Sequence, residues 1–179
     1  GRERITLRHV LTHTSGLEIG ERFGLEVEQA FSFLASAVAL KPSGTAPGLL
    51  TRYDNRAWQL VCGVIHSASG EDVQDYMRRE IFAPMGIVDF RWTRDPSGAT
   101  MCHADLHLLP RDLIKIGRLA LDRGVFEGRR IVAEAWYALT QPAQMCTPMP
   151  GGIALGWQDA AIVEGSGRVR VDDGSLRTM

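Results

Sequence analysis

The feature that most constrains the fold is a turn followed by a helix near residue 55. Pro47-Gly48 precedes Tyr53-Asp54-Asn55, so a phenol and a carboxamide lie two residues apart. Beyond Asn55, apolar residues recur at the three- and four-residue spacing of one helix face, namely Ala57, Leu60, Val61, Val64, Ile65 and Ala68. We predict a helix that follows Tyr53-Asp54-Asn55, runs to about Ser69 and ends at Gly70.

Two interpretations of Tyr53 and Asn55 follow from this position. Loops carry functional groups while the rigid element behind them fixes their position, which favours a catalytic role. The N-terminus of a helix also carries about half a positive charge, which favours a nearby phenolate over a phenol. The alternative is structural: Tyr53 closes a turn and Asn55 caps the helix.

Composition excludes several classes of protein. The chain has 179 residues, 45% of them hydrophobic, which suits one globular domain or most of one. A net charge of -1 gives no electrostatic reason to expect a nucleic-acid or anionic-membrane partner. No apolar run approaches the ~20 residues that span a bilayer. Because the chain begins with Gly1, we expect a piece of a longer protein, and the localisation and oligomeric state stay open.

The three cysteines suggest no disulfide framework. Cys62, Cys102 and Cys146 are odd in number, widely spaced and without a C-x-x-C motif. Cys62 lies in the apolar helical stretch and is interpreted as a small core residue. Unpaired cysteines favour a reducing compartment.

Apolar spacing and capping residues predict five more helices. The first has Thr6 as its N-cap and is ended by Gly16, whose backbone adopts conformations that other residues resist. The second includes Phe31 and Val38 in its apolar face. The five helices cover residues 5–13, about 26–40, 71–83, 110–123 and 134–139.

Strand patterns are concentrated near the end of the chain. Alternating residues predict strands at 89–93, 153–158, 160–163 and 168–171. The fold class is therefore α+β, with most of the helices before the main strands. No internal repeat is present.

Two pairs of histidines raise the possibility of a zinc site. His9 and His13 are four residues apart, as are His103 and His107, which places two imidazoles on one face if the segment is helical. The metalloprotease pattern needs Glu directly after the first His, and neither pair has one. We predict no metal and no cofactor, and we keep the zinc site as a minor alternative.

The chain contains no activated nucleophile. There is no G-x-S-x-G elbow and no glycine-rich phosphate loop. An S-x-x-K motif is absent because neither Lys41 nor Lys115 has a serine three residues earlier.

Five segments nevertheless occur in the same order as the motifs of a known protein family. They are Ile5–Leu17 with its His-Thr-Ser-Gly, Pro47-Gly48 with Tyr53-Asp54-Asn55, Glu80–Ile87, Leu109–Val132 and Leu155-Gly156-Trp157. Together they resemble the beta-lactamase-related serine hydrolases, which include class C beta-lactamases, D-alanyl-D-alanine carboxypeptidases and esterases. The last segment departs from the family's G-x-G-W, because Ala154 replaces the first glycine.

The resemblance implies a beta-lactamase/transpeptidase-like fold. Residues 1–179 would form an incomplete domain of that fold. Its helical region would cover about residues 1–142, and a partial antiparallel sheet would begin at about 153–172.

The resemblance also implies acyl transfer on an ester, amide or peptide bond of a small-molecule or peptide substrate. In the family, the serine of S-x-x-K attacks a carbonyl, and the lysine and the tyrosine of Tyr-x-Asn handle protons. Backbone N–H groups form an oxyanion hole. Tyr53 would be the proton-transfer residue, and Asn55 would bind the substrate amide or the catalytic lysine.

Two family motifs have no match in this chain. S-x-x-K is absent, and no Lys- or His-containing triad ending in Gly follows Trp157. We therefore expect the chain alone to lack hydrolytic activity. The main alternative is a non-catalytic relative of the same fold that binds a ligand or peptide.

Overall fold

The computed structural model describes residues 2–18 and 30–140, and beyond these the backbone of five short strands. The described α-helices are α1 Leu7–Leu11, α2 Phe33–Val38, α3 Asn55–Ser69, α4 Val73–Met77, α5 Pro110–Leu121 and α6 Glu134–Thr140. The described strands are β1 Phe90–Trp92, β2 Leu106–Leu108, β3 Val125–Phe126, β4 Arg129–Arg130, β5 Met145–Cys146, β6 Gly152–Ala154, β7 Trp157–Gln158, β8 Val171–Asp172 and β9 Ser175–Leu176.

The first helix begins as the sequence predicts, with Thr6 as its N-cap. The Thr6 hydroxyl accepts a hydrogen bond from the His9 N–H at 3.3 Å, and His9 Nδ1 accepts one from the Thr6 N–H at 3.2 Å. This reciprocal capping box satisfies two backbone donors that the helix itself leaves without partners. The helix is shorter than predicted, since α1 ends at Leu11 and not at residue 13.

The helix predicted over residues 26–40 is wrong in its extent. Residues 30–32 are not helical, α2 begins after the N-cap Ser32, and residues 26–29 lie outside the described residues. The side-chain oxygen of Ser32 accepts from the Ala35 N–H at 3.3 Å, which starts the helix late. Phe31 is therefore not on the buried face and is 72% exposed.

The helix that organises the chain, α3, has the predicted boundaries. Asp54 is its N-cap, with Oδ1 accepting from the Arg56 N–H at 2.7 Å. Gly70 ends it in the left-handed conformation at φ 75°. Leu34 of α2 packs against Gly63, where a Cβ would approach the Leu34 side chain to 2.9 Å. This close approach fixes α2 against α3.

The helical stretch after α3 is longer than predicted. The backbone continues from α4 through a π-helical turn at Arg78–Phe82 and a 3₁₀ turn at Ala83–Met85. The prediction that the helix stops before Pro84 is wrong, because proline fits the first turn of a helix, where no N–H is needed. Gly86 then ends the stretch at φ 63°.

A hydrophobic core lies between α5 and the turn before Gly86. Phe82, Met85, Ile87 and Leu119 form a cluster in which each side chain is almost completely buried. The rings of Phe82 and Phe90 meet edge to face with centroids 4.7 Å apart. The helix α5 begins at Pro110 as predicted, but Leu113, placed in its apolar stripe, is 61% exposed.

The strands that the structure describes pair antiparallel, in small sheets. Strand β1, expected at 89–93, pairs with β2, where no strand was predicted. Strands β3 and β4 pair, as do β8 and β9. The single strand predicted over 153–158 is wrong, because β6 and β7 pair with each other and β6 also pairs with β5. The strand predicted at 160–163 lies outside the described residues.

The prediction of unpaired cysteines is also wrong. Cys62 on α3 forms a disulfide with Cys102, with Cα atoms 5.7 Å apart. Beside it, the fully buried Gln59 donates to the Thr100 carbonyl at 2.8 Å and accepts from the Cys102 N–H at 2.8 Å. The fold brings the two cysteines together across 40 residues of sequence, which their spacing alone did not reveal.

None of the helices in the described part of the chain is long and apolar enough to cross a membrane.

Candidate active site

Tyr53 and Asn55 lie on either side of the residue that caps α3. Tyr53 comes just before Asp54 and is 44% exposed, so its phenol reaches solvent. Asn55 is the first helical residue and is buried. The structural interpretation of Asn55 as the helix cap is therefore wrong, because Asp54 does that work. The Asn55 side chain therefore places a carboxamide at the N-terminal end of the helix without capping it.

Arg56 anchors this end of α3 to the segment before it. Its guanidinium forms an ion pair with the Asp54 carboxylate at 2.9 Å. The same nitrogen, Nη2, donates to the Glu18 carbonyl at 3.1 Å. Both Arg56 and Asp54 are largely shielded from solvent, so this pair fixes the helix entry more firmly than an exposed ion pair would.

The His-Thr-Ser-Gly segment forms a compact turn beneath Tyr53. The Thr14 carbonyl accepts from the Gly48 N–H at 2.8 Å, and the Gly16 carbonyl accepts from the Ser43 N–H at 2.9 Å. Gly16 adopts φ 69°, and a Cβ there would lie 2.4 Å from the Thr45 carbonyl oxygen. The prediction that Gly16 supplies a special backbone conformation is confirmed, and the close approach explains why no side chain fits.

His13 is the residue of this turn that touches the Tyr53 ring. The ring centroids are 4.6 Å apart with a 30° tilt, and Trp58 packs on the same imidazole at 5.7 Å. From the sequence His13 is a candidate zinc ligand, and its contact with Tyr53 was not predicted. Forty residues separate His13 from Tyr53, so no local pattern could have shown it.

His13 is held in its neutral form. Burial lowers the pKa of His13 from its ordinary value of 6.5 to about 4, and the nearby Asp54 carboxylate opposes this shift by a smaller amount. The ring nitrogen Nδ1 accepts from the Asp54 N–H at 3.5 Å, which a protonated imidazolium could not do. At neutral pH the residue is therefore an uncharged aromatic surface.

A shallow pocket opens beside these residues. Its walls include His13, Ser15, Glu18, Arg52 and Asp54. Leu17, Leu50 and Ala57 also line it, so polar and apolar groups both contribute to its walls.

The other histidines have separate roles. His9 takes part in the cap of α1, and His103 Nδ1 lies 3.2 Å from Gln59 Oε1. His107 lies in β2 opposite Arg91, so it does not share a helix face with His103. Within residues 2–18 and 30–140, no three His, Cys, Asp or Glu side chains come together in a group that could hold a metal ion.

The arrangement presents one accessible acid–base group beside one fixed amide. A phenol can give or take a proton, and a carboxamide can donate and accept hydrogen bonds. Comparison with known proteins then decides the family, because the Beta-lactamase family model matches residues 1–168.

The chain belongs to the Beta-lactamase family.

One curated relative of this Beta-lactamase family chain is an acyltransferase. The monacolin J acid methylbutanoyltransferase of Aspergillus terreus is 30% identical over 136 residues. The match covers 70% of the chain and 32% of the relative. The chain thus spans about a third of the length of the curated relative it matches.

Solved structures confirm the beta-lactamase/transpeptidase-like fold. The penicillin-binding protein of Bacillus halodurans matches with a TM-score of 0.68 at 17% identity, over 98% of this chain and 61% of that one. The D-amino acid amidase of Ochrobactrum anthropi SV3 gives 0.67 at 20%, over 95% and 56%. The octameric penicillin-binding protein homologue of Pyrococcus abyssi gives 0.68 at 20%, over 85% and 42%.

Proposed function

We propose that the chain contributes Tyr53 and Asn55 to the active site of a serine hydrolase that works through an acyl-enzyme. In this reaction a serine oxygen attacks the carbonyl carbon of an ester or amide and the alcohol or amine leaves. Water then releases the acyl group as an acid. Tyr53 exchanges the proton with the attacking and leaving groups, and Asn55 hydrogen-bonds the substrate amide or the catalytic lysine.

The observation that carries this proposal is the exposed phenol of Tyr53 at the N-terminal end of α3 in a Beta-lactamase family chain. The residue after Tyr53 is the helix cap Asp54, and the Tyr53 ring lies against the His13 imidazole. A proton-transfer group must be held in position before it can act efficiently. The backbone around Tyr53 supplies that rigidity while leaving the phenol open to a substrate.

The serine and lysine of this mechanism are absent from the 179 residues. We propose that a segment of the natural protein outside them supplies S-x-x-K, and that residues 1–179 correspond to part of the domain. By this proposal the chain alone forms no acyl-enzyme. Turnover of an ester by the purified 179-residue chain, above the rate of a Tyr53→Phe variant, would contradict it.

The substrate is proposed to be a small ester or amide, or a short peptide. The name of one relative specifies transfer of a methylbutanoyl group, and that of a structural neighbour specifies an amide of a D-amino acid. Acyl transfer and amide cleavage both involve attack on a carbonyl carbon. The pocket lined by the two neighbours of Tyr53, Arg52 and Asp54, also contains Glu18, and these groups suit a substrate with a charged or hydrogen-bonding group near the scissile bond.

The test is covalent labelling of the full-length gene product. A fluorophosphonate phosphonylates an activated serine, and a mass increase of one adduct per protein is expected. Prior incubation with a slowly hydrolysed ester or a penicillin should block it. A folded full-length protein that gains no mass from either reagent would favour the non-catalytic, ligand-binding relative.

A further inference from the structure

We propose that His13 is a positioning residue for Tyr53, holding the phenol of the proposed proton-transfer residue in its working orientation. The inference rests on the proposed function, since it assigns a second residue to the same site. It concerns His13 acting through Tyr53, and not a direct role of the imidazole in proton transfer.

Three consecutive residues contact His13. The His13 carbonyl accepts from the Arg52 N–H at 2.8 Å, and its Nδ1 accepts from the Asp54 N–H at 3.5 Å. Between them, the Tyr53 ring lies on the imidazole with centroids 4.6 Å apart. The backbone on both sides of Tyr53 and its ring are thus fixed by one residue from a different part of the sequence.

The backbone of His13 supports a positional role. Its φ is 55°, in the left-handed region that few residues other than glycine adopt. Such conformations persist where the surroundings over-determine them, and they cluster at functional sites. Here the surroundings are the Arg52 hydrogen bond on one side and the Trp58 ring on the other.

The contact depends on His13 being uncharged. Nδ1 can accept from Asp54 only when it carries no proton, so protonation breaks that hydrogen bond. Burial already lowers the pKa of His13 to about 4, so the neutral ring persists through the physiological range. The charged and titratable groups around it are Asp54 with its ion-pair partner Arg56, Tyr53 itself, and Arg52 and Glu18 of the shared pocket.

Replacing His13 with asparagine separates the ring contact from the turn. Asparagine tolerates the left-handed backbone better than most residues and keeps a short acceptor, but it lacks the ring. His13→Asn therefore removes the stacking surface while retaining the turn. His66→Asn is the matched control, because His66 is exposed near the far end of α3.

The first readout is the Tyr53 ring in nuclear magnetic resonance spectra of the 179-residue chain. With ring-labelled tyrosine, the Tyr53 signal is identified by its loss in Tyr53→Phe. We expect it to shift as His13 titrates near pH 4, and to lose that shift in His13→Asn while His66→Asn keeps it. If the chemical shift of the Tyr53 ring changes neither with the His13 substitution nor with the titration, the inference is overturned.

The second readout is the kinetics of the full-length gene product. We expect His13→Asn to lower kcat by about tenfold or more with KM little changed, because misplacing a catalytic group weakens only the transition state. An unchanged kcat, in an enzyme that loses activity in Tyr53→Phe, overturns the positioning role. An inactive wild-type enzyme would instead contradict the proposed function. The spectra would still test whether His13 holds the Tyr53 ring.

Discussion

At the scale of single residues, His13 links the stability of the fold to pH. Its pKa is lower in the folded chain, about 4, than the ordinary value of 6.5 that applies when the chain unfolds. Between these values the unfolded chain binds more protons, so stability rises with pH across the window. The stabilisation is complete above pH 6.5 and is lost as pH falls towards 4.

We predict a measurable loss of stability in acid that depends on His13. Since a tenfold change in proton affinity is worth about 1.4 kcal/mol, His13 can remove at most about 3 kcal/mol of unfolding free energy between pH 6.5 and 4. Urea denaturation at several pH values, compared between the wild type and His13→Asn, measures the difference. Parallel pH profiles for the two proteins would show that His13 does not titrate as described.

Asp72 links the start of α4 to the loop around Thr100. Its carboxylate accepts from the Thr100 hydroxyl at 2.6 Å and from the Gln74 N–H at 3.0 Å. Burial by itself raises the pKa of Asp72, but the hydrogen bonds from Thr100 and Gln74 and the charge of Arg94 outweigh it and lower the pKa below its ordinary value of 3.8. This stabilisation is therefore present above about pH 4 and is lost as pH falls below it.

We predict that Asp72→Asn destabilises the chain by about 1–2 kcal/mol at pH 7, the usual effect of losing a charged cap and its hydrogen bonds. Asp75→Asn is the matched control, because Asp75 pairs with Arg78 in an exposed ion pair. That variant should stay within about 0.5 kcal/mol of the wild type. Equal effects in thermal or urea unfolding would contradict the assignment.

At the scale of elements, the turn that follows α1 depends on Gly16. Both Gly16 and Gly70 adopt a positive φ, at 69° and 75°. A Cβ at Gly16 would meet the Thr45 carbonyl oxygen at 2.4 Å, whereas a Cβ at Gly70 would meet nothing within 4 Å. The two glycines therefore share backbone strain and differ in steric contact.

We predict that Gly16→Ala destabilises the chain by roughly 2 kcal/mol or more, because strain and backbone contact add. Gly70→Ala should cost only the strain, about 1 kcal/mol. The midpoints of urea unfolding measure both. Equal losses would mean that the Thr45 contact relaxes without cost and does not lock the turn beneath Tyr53.

The sequence predicted those elements whose signals are local. The boundaries of α3 follow from Asn55, the apolar spacing and Gly70, and the start of α1 follows from Thr6. The extent of α2 was wrong because the Ser32 cap competes with a longer apolar pattern. In the site, Tyr53 and Asn55 could be picked out as neighbours at a helix start, and their catalytic role stays a prediction.

Long-range contacts could not be predicted in the same way. The Cys62–Cys102 disulfide and the contact between His13 and Tyr53 each join residues about 40 positions apart. Such pairs depend on how α3 packs against the loops at its two ends, and no periodicity encodes that packing. A reducing compartment was favoured because the cysteines were predicted to be unpaired, and the disulfide removes that reason.

At the scale of the whole molecule, the disulfide ties α3 to the loop before β2. We predict one free thiol per chain in denaturant, since two of the three cysteines are paired. Closing a 40-residue loop stabilises a fold by about 2–4 kcal/mol. Cys102→Ser should therefore lower the unfolding free energy by that amount, and Cys146→Ser should not. Three reactive thiols in the untreated protein would contradict the pairing.

The central claim is that Tyr53 transfers protons in an acyl-transfer reaction. The most direct measurement is the kcat/KM of the full-length gene product on a chromogenic ester, for the wild type, Tyr53→Phe and Tyr76→Phe. Tyr76 is the control because its ring packs on the Arg79 guanidinium, 5.5 Å from the ring centre. Loss of a general acid–base group predicts a fall of about 10²–10⁴-fold in Tyr53→Phe and none in Tyr76→Phe. A Tyr53→Phe enzyme as active as the wild type would contradict the account.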